Sequence, residues 1–254
     1  GAMFTGALNG ANAIGAPNVS VLELASGTIA GTLAGLGTQF TDFAQTTIDA
    51  GAAWLLTGPN TIAAGATLTA LSGATVIASG LLENDGAIIV DPSTLTVAGL
   101  TGAGSVTIGA GSSVTMQGTV ASGETLAFGG SGGYLDLGTP SGVAGKVTNF
   151  AAGETIDLKG IDASSVSYAG GVLSFTGGSF ALSTTGPGTV TASPSSDGAS
   201  VVLCFCANTQ ILTPAGERAV QELAVGEEVM THRGAVRRIV WIGTGTVFAT
   251  RGQR

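Results

Sequence analysis

Short runs in which apolar and polar residues alternate recur along the first two hundred residues of the chain. A period of two over three to six residues, interrupted by Gly, Asn, Asp or Ser, is typical of β-strands. Long helices are hard to place, because Gly and Thr interrupt the candidate segments, and only Leu33–Phe43 is ambiguous. The predicted strands are Val19–Leu24, Thr67–Leu71, Thr75–Ile77, Ile88–Val90, Leu95–Val97, Val106–Ile108, Val114–Met116, Leu126–Phe128 and Val172–Phe175.

A related sequence motif, in which Ala-Gly or Ser-Gly at a corner is followed by a strand of alternating apolar and polar residues, occurs several times. Self-similar units of this kind predict an all-β fold built as a parallel β-solenoid, in which each turn buries its inner face against the next. Gly supplies the corners, and small or β-branched side chains suit narrow stacked layers. A jelly roll or sandwich is the alternative architecture. The motif starts at Ala50, Ala64, Ser122 and Ala152.

The composition changes sharply at Cys204. The residues before it contain twelve acidic side chains, two lysines, and no Cys, His or Arg, whereas the residues from Cys204 onward contain four acidic side chains, six arginines and His232. This break predicts a solenoid domain at residues 1–203 and a second domain at residues 204–254.

The charge and hydropathy of the chain restrict its partners. The net charge of −8 disfavours nucleic acids and anionic membranes as partners. No segment has the length of a membrane span, and no signal peptide is visible. The sequence does not fix an oligomeric state.

Cys204 and Cys206 lie two residues apart, so they point to one face of a strand. A disulfide between such near neighbours would be strained, and two thiols without further ligands do not make a zinc site. We therefore expect no metal and no cofactor. On spacing alone both cysteines are buried apolar residues, and His232 is an exposed histidine of the turn before Val236.

The C-terminal segment resembles the opening of a Hint domain, the self-processing fold of hedgehog proteins and inteins. Asn208 departs from the usual Gly, although Asn tolerates a positive φ, and Glu227 or Glu228 stands where the family usually has Asp. The resemblance spans the first half of such a domain. It rests on Cys204-Phe205, Thr209, Ile211, Thr213-Pro214-x-Gly216, Val220-x-x-Leu223-x-x-Gly226-Glu227-x-Val229-x-Thr231 and Val240-Trp241-Ile242-Gly243.

This resemblance implies that the Cys204 thiol attacks the carbonyl of Leu203 and converts the Leu203–Cys204 amide into a thioester. Cys204 and Thr209 are the implied catalytic residues, and Leu203 supplies the scissile carbonyl. Donors must polarise this carbonyl and protonate the departing nitrogen. In the family they come from a downstream Thr-x-x-His segment, which does not occur before Arg254, so we expect slow or no self-cleavage in this chain.

The solenoid region resembles adhesin-like autotransporter passengers of Gram-negative bacteria. This resemblance implies a secreted or cell-surface body with a structural or adhesive role, and glycans or other surface components as partners. The rival function is a glycan-binding or polysaccharide-degrading β-helix, for which Asp157, Asp162 and Lys159 are candidates. At most we expect self-cleavage of the intact protein rather than turnover of a substrate. The segments that carry this resemblance are Asp49-Ala50-Gly51-Ala52-x-Trp54-x-Leu56-Thr57-Gly58 and Asn149-Phe150-x-Ala152-Gly153-Glu154-Thr155-Ile156-Asp157-Leu158.

Overall fold

The computed structural model describes residues 6–186, 188–204, 209–231, 235–240 and 242. The chain divides into two compact units, of which the first comprises Gly1–Gly186 and Ala192–Leu203 and the second comprises Pro187–Thr191 and Cys204–Arg254. Within the described residues no helix has the length and apolarity needed to cross a membrane.

The first unit is built from strands that return at regular intervals along the chain. In chain order, the strands of its stacked turns are β1 Leu8–Asn9, β2 Val21–Leu24, β3 Gly31–Ala34, β4 Phe40–Thr41, β5 Gln45–Ile48, β6 Ala53–Thr57, β7 Asn60–Ile62, β8 Thr67–Ala70, β9 Thr75–Asn84, β10 Ala87–Val90, β11 Thr94–Thr101, β12 Ser105–Ile108, β13 Ser113–Met116, β14 Thr125–Phe128, β15 Tyr134–Leu137, β16 Lys146–Phe150 and β17 Thr155–Lys159.

Alternate strands stack into two parallel sheets. The first sheet runs β2-β5-β8-β10-β12-β14-β16 and the second runs β3-β6-β9-β11-β13-β15-β17. This arrangement gives about seven turns between residues 21 and 158. The predicted all-β parallel solenoid is therefore confirmed, and the jelly-roll alternative is wrong because neighbouring strands of these turns run parallel.

The register of the turns creates continuous apolar columns inside the solenoid. In the second sheet, Val76, Leu95, Val114, Leu135 and Ile156 occupy successive turns of one column. Each of these side chains is at most 1% exposed. Their neighbours in sequence point outward and are mostly Thr or Ser, which explains the period of two in the sequence.

A third, shorter run of parallel pairing lies at one corner of each turn. It includes the pairing of β7 with the end of β9 and of β9 with the end of β11. Two amides lie inside this corner. Asn60 accepts a hydrogen bond from the Leu36 amide at 3.0 Å, and Asn84 donates to Glu124 at 3.0 Å. These buried polar groups replace apolar residues where the backbone turns.

The regular two-sheet turns end at β17, and a different arrangement of strands follows, in which β20 (Gly178–Thr184) still pairs in parallel with β16. The following strands are β18 Ser167–Ala169, β19 Val172–Phe175, β20 Gly178–Thr184, β21 Thr189–Pro194 and β22 Gly198–Cys204. The first three form an antiparallel meander whose last strand joins β16, and β22 pairs antiparallel with β17. Gly170 and Gly171 both have positive φ, which suits a two-residue hairpin, so the chain reverses between β18 and β19.

Three 3-10 turns and four short strands complete the secondary structure described here. The ambiguous segment Leu33–Phe43 contains the end of β3, a turn and β4 rather than a helix. The second unit contains two antiparallel hairpins, β23 with β24 and β25 with β26. The 3-10 turns are Pro140–Gly142, Ala163–Ser165 and Val220–Glu222, and the strands are β23 Gln210–Thr213, β24 Gly216–Ala219, β25 Glu228–Met230 and β26 Val236–Arg238.

Candidate functional site

The candidate scissile bond lies at the end of β22. This strand pairs with β17 from Gly198 opposite Lys159 to Val202 opposite Thr155, and Leu203 and Cys204 follow as its last two residues. The side chains of these two residues lie outside the described part of the chain. The structure therefore fixes the backbone strand that leads into the Leu203–Cys204 bond.

Thr209 immediately precedes β23. Its backbone carbonyl accepts a hydrogen bond from the Val220 amide at 2.8 Å, and the residue is half-buried. Residues 205–208, which separate it from Cys204, lie outside the described residues, and so does Cys206. The roles of Cys204 and Thr209 as a catalytic pair therefore stay predictions.

The turn between β23 and β24 explains why this part of the sequence folds as a hairpin. The Thr213 hydroxyl accepts from the Ala215 amide at 3.2 Å and donates to the Gly216 carbonyl at 2.6 Å. Pro214 fixes its own φ at the first corner, and Gly216 adopts a φ of 112°. The Thr-Pro-x-Gly motif is thus a turn motif that orients the strand after Thr209.

An ion pair fastens the segment that follows this hairpin. Arg218 on β24 contacts Glu227 at 2.9 Å, and its guanidinium also donates to the Glu222 carbonyl. Glu227 in turn accepts from the Ala224 amide at 2.9 Å. The Arg218 hydrogen bond lowers the pKa of Glu227 below its ordinary value. Glu227, which the family resemblance singled out, therefore orders the loop before β25.

The strands on either side of His232, β25 and β26, form an antiparallel pair. The Thr231 amide donates to the Ala235 carbonyl at 2.8 Å and closes the connection between them. His232 itself lies outside the described residues. Arg237 and Arg238 are exposed on β26.

The charged residues considered for a polysaccharide-degrading site do not form the expected group. Lys159 makes ion pairs with Asp136 at 3.6 Å and Asp197 at 3.2 Å, and with neither Asp157 nor Asp162. Asp162 instead accepts from the Ser164 amide at 2.8 Å as the cap of a 3-10 turn.

Glu83 and Asp85, two acidic residues close together in the sequence, are also held in structural hydrogen bonds. Glu83 accepts from the Thr61 hydroxyl at 3.0 Å, and Asp85 accepts from the Ala103 amide at 3.1 Å. In the part of the chain that the structure describes, no group of three His, Cys, Asp or Glu side chains is arranged to hold a metal ion.

Sequence reasoning missed the grouping of Asp136, Asp157 and Asp197. Asp136 and Asp157 are register partners on β15 and β17, and Asp197 lies in the turn before β22. No spacing rule connects these positions, because the pairing of successive turns and an antiparallel return bring them together. Only the solenoid register could have revealed the first two.

The fold and the junction define the chain as a β-solenoid followed by a separate β-rich segment that begins where β22 ends. Residues 203–254 match the family model of the Hint domain. The chain therefore carries a Hint domain at residues 203–254 after its solenoid. No curated protein and no solved structure matches the chain.

Proposed function

We propose that the solenoid is the passenger of an autoprocessing protein, and that its Hint domain acts on the Leu203–Cys204 bond. The observation that carries this proposal is the position of the family match, which begins at Leu203. The candidate nucleophile Cys204 is thus the second matched residue, and the last strand of the solenoid unit, β22, leads directly into it.

The proposed reaction is an acyl shift from nitrogen to sulfur. The Cys204 thiolate attacks the carbonyl carbon of Leu203, the new C–S bond forms, and the C–N bond of the Leu203–Cys204 amide breaks. The departing nitrogen takes up a proton and becomes the free amino group of Cys204. Thr209 is the proposed donor near the reacting peptide. Attack on the thioester by water or an added thiol then releases a solenoid that ends at Leu203.

Intact mass spectrometry tests this reaction. The chain as it stands, and a chain extended beyond Arg254, are incubated with and without a thiol nucleophile. We expect a product ending at Leu203 from the extended chain, faster with thiol, and little or none from the present chain. Cys204→Ala should abolish the product, whereas Cys206→Ala, the matched control, should retain it. An extended chain that stays intact for days with thiol would contradict the proposal.

We also propose that the solenoid is secreted and presents a structural or adhesive surface to glycans or other cell-surface components. The stacked core, the many outward Thr and Ser side chains and the low content of charged residues support a rigid spacer of this kind. Binding of the labelled chain to a glycan array and to intact bacteria would test it. Turnover of a polysaccharide by the chain would instead favour the rival enzymatic function.

A further inference from the structure

A group of interacting polar side chains lies where β22 joins the solenoid. Its centre is Asp157 on β17, which is 5% exposed. The Ser195 and Tyr134 hydroxyls and the Asp197 carboxyl group all influence the pKa of Asp157, and the Ser195 hydroxyl donates to Asp197 at 3.5 Å. Ser195 and Asp197 belong to the turn that leads into β22, so Asp157 connects the last complete turn of the solenoid to this strand.

Lys159 makes ion pairs with two of the carboxylates in this group. The Lys159 ammonium lies 3.2 Å from Asp197 and 3.6 Å from Asp136. One carboxyl oxygen of Asp136 and one of Asp157 are buried without a hydrogen-bond partner in the described structure. The Lys159 ammonium is therefore the single cation of this group, beside three carboxyl groups. A negative charge on a buried carboxyl oxygen that has no hydrogen-bond partner is destabilising.

A proton on one of the three carboxyl groups leaves two carboxylates beside the Lys159 ammonium. Burial is the main cause that raises the pKa of Asp157, and the nearby charge of Asp197 adds to it. The hydrogen bond from Lys159 lowers the pKa of Asp197. Burial and the adjacent carboxylates raise the pKa of Tyr134 to about 12, so its hydroxyl remains a donor. A protonated Asp157 can then donate to an ionised Asp197 that is paired with Lys159.

We propose that this group is a proton-dependent clasp that holds β22, the strand carrying the Leu203–Cys204 bond, against the edge of the solenoid. The clasp is defined by Tyr134, Asp136, Asp157, Lys159, Ser195 and Asp197. Its link to processing rests on the proposed function, because β22 carries the bond on which the Hint domain would act. The clasp itself is a property of the β17–β22 pairing and can be measured without any cleavage.

The direction of the pH effect follows from the two opposite pKa shifts. The contribution of Asp157, whose pKa is raised, is complete below its ordinary value and is lost as the pH rises through the raised pKa. The contribution of Asp197, whose pKa is lowered, is present above its ordinary value and is lost as the pH falls through the lowered pKa. The clasp is therefore tightest at mildly acidic pH. Above the raised pKa, ionised Asp157 faces Asp136 and Asp197, and Lys159 is the one cation in the group that offsets them.

Hydrogen exchange of the intact chain, read as protection factors so that the intrinsic pH dependence is removed, tests the clasp. We expect the amides of Gly198–Cys204 to lose about tenfold in protection between pH 5 and pH 8. The amides of β13, inside the solenoid, should keep theirs. Asp157→Asn, which mimics the protonated form, should keep β22 protected at both pH values. The matched control Asp162→Asn, an exposed carboxylate outside the clasp, should behave as the unmodified chain does.

A second variant keeps the test decisive where Asp157→Asn fails to fold. Lys159→Met removes the only cation of the clasp, so β22 should lose protection at pH 8 more than at pH 5. Equal protection of β22 at both pH values, or an unchanged pH dependence in Asp157→Asn, would overturn the clasp. A pH-dependent β22 in an extended chain that never cleaves would support the clasp and refute the proposed processing.

Discussion

The solenoid and the Hint segment (residues 203–254) differ in the contacts that stabilise their side chains. In the solenoid, each inward residue lies between equivalents in the turns before and after it, and columns such as that of Leu135 are completely buried. Among the described residues of the Hint segment, only Thr213 and Ala219 are buried. There, turn hydrogen bonds and the Arg218–Glu227 ion pair hold short hairpins together. The repeated turns therefore form an apolar core in the solenoid, whereas local hydrogen bonds and an ion pair stabilise the Hint segment.

The same difference appears in how acidic groups are used. The solenoid buries Glu124 and Glu154, and burial raises the pKa of both carboxyl groups. In the Hint segment the pKa of Glu227 is lowered by its hydrogen bond from Arg218. Acidic pH should therefore favour the solenoid and weaken this contact of the Hint segment.

The largest expected effect comes from opening the solenoid core. Leu135→Ala removes a side chain that is 0% exposed, and the resulting cavity should lower the free energy of unfolding by about 2–5 kcal/mol. Leu212→Ala, at a Leu that is 48% exposed in the Hint segment, is the matched control and should change it by less than about 0.5 kcal/mol. Urea unfolding of both variants measures the contrast. Similar losses in the two variants would show that the segment has a core comparable with the solenoid.

A somewhat smaller effect is expected from Glu154→Gln. Glu154 is 3% exposed and accepts a hydrogen bond from the Ala151 amide at 2.7 Å, and burial raises its pKa to about 7. A raised pKa gives a contribution that is complete below the ordinary pKa and is lost as the pH rises through about 7. Glutamine stays neutral and still accepts this bond, so it should stabilise the chain at pH 8 by on the order of 2 kcal/mol.

Thermal unfolding of Glu154→Gln between pH 5 and pH 8 measures this effect. Glu23→Gln, in the exposed face of β2, is the control and should leave the pH profile unchanged. A profile for Glu154→Gln that matches the unmodified chain would mean that Glu154 ionises normally in its buried position.

A smaller loss is expected from removing a buried hydroxyl between two turns. Ser112 is 1% exposed; its hydroxyl donates to the Val90 carbonyl at 2.7 Å and accepts from the Ser93 amide at 3.3 Å. Ser112→Ala leaves both backbone groups without this partner and should cost about 1–2 kcal/mol. Ser113→Ala, on the outward face of β13, is the control and should be nearly neutral. Calorimetry of the two variants compares them, and equal transitions would show that the inter-turn hydroxyl contributes nothing.

The sequence predicted the solenoid well because its inward and outward positions alternate in every turn. Runs such as Val106–Ile108 and Val114–Met116 lie in strands close to their predicted bounds. The antiparallel end was missed, because Val172–Phe175 has the same alternation as a solenoid strand. The Gly170-Gly171 pair before it was the available signal for a hairpin.

The buried carboxyl groups show the limit of reading a sequence by its pattern. Glu124 and Glu154 stand in the recurring Gly-Glu-Thr corner and look like solvated loop residues, yet both point into the protein. Whether a corner residue faces inward depends on the path of the turns on either side of it. For the Hint segment, ordered motif matches located the candidate Cys204, but they could not place its side chain relative to Thr209.

The smallest expected effect tests the polar contacts of the Hint segment. Glu227→Gln weakens the contact with Arg218 and should reduce the hydrogen-exchange protection of the β24 and β25 amides only slightly at pH 7, because exposed ion pairs contribute little. Since the pKa of Glu227 is lowered, its contribution is present above the ordinary value and is lost as the pH falls through the lowered pKa. The stabilities of the variant and the unmodified chain should therefore converge in acid, opposite to the trend for Glu154→Gln.

Glu217→Gln, an exposed position on β24, is the matched control. Hydrogen exchange of the β24 and β25 amides at pH 3 and pH 7 measures the difference, and a larger effect at pH 3 would contradict the assignment of this ion pair as the fastening contact.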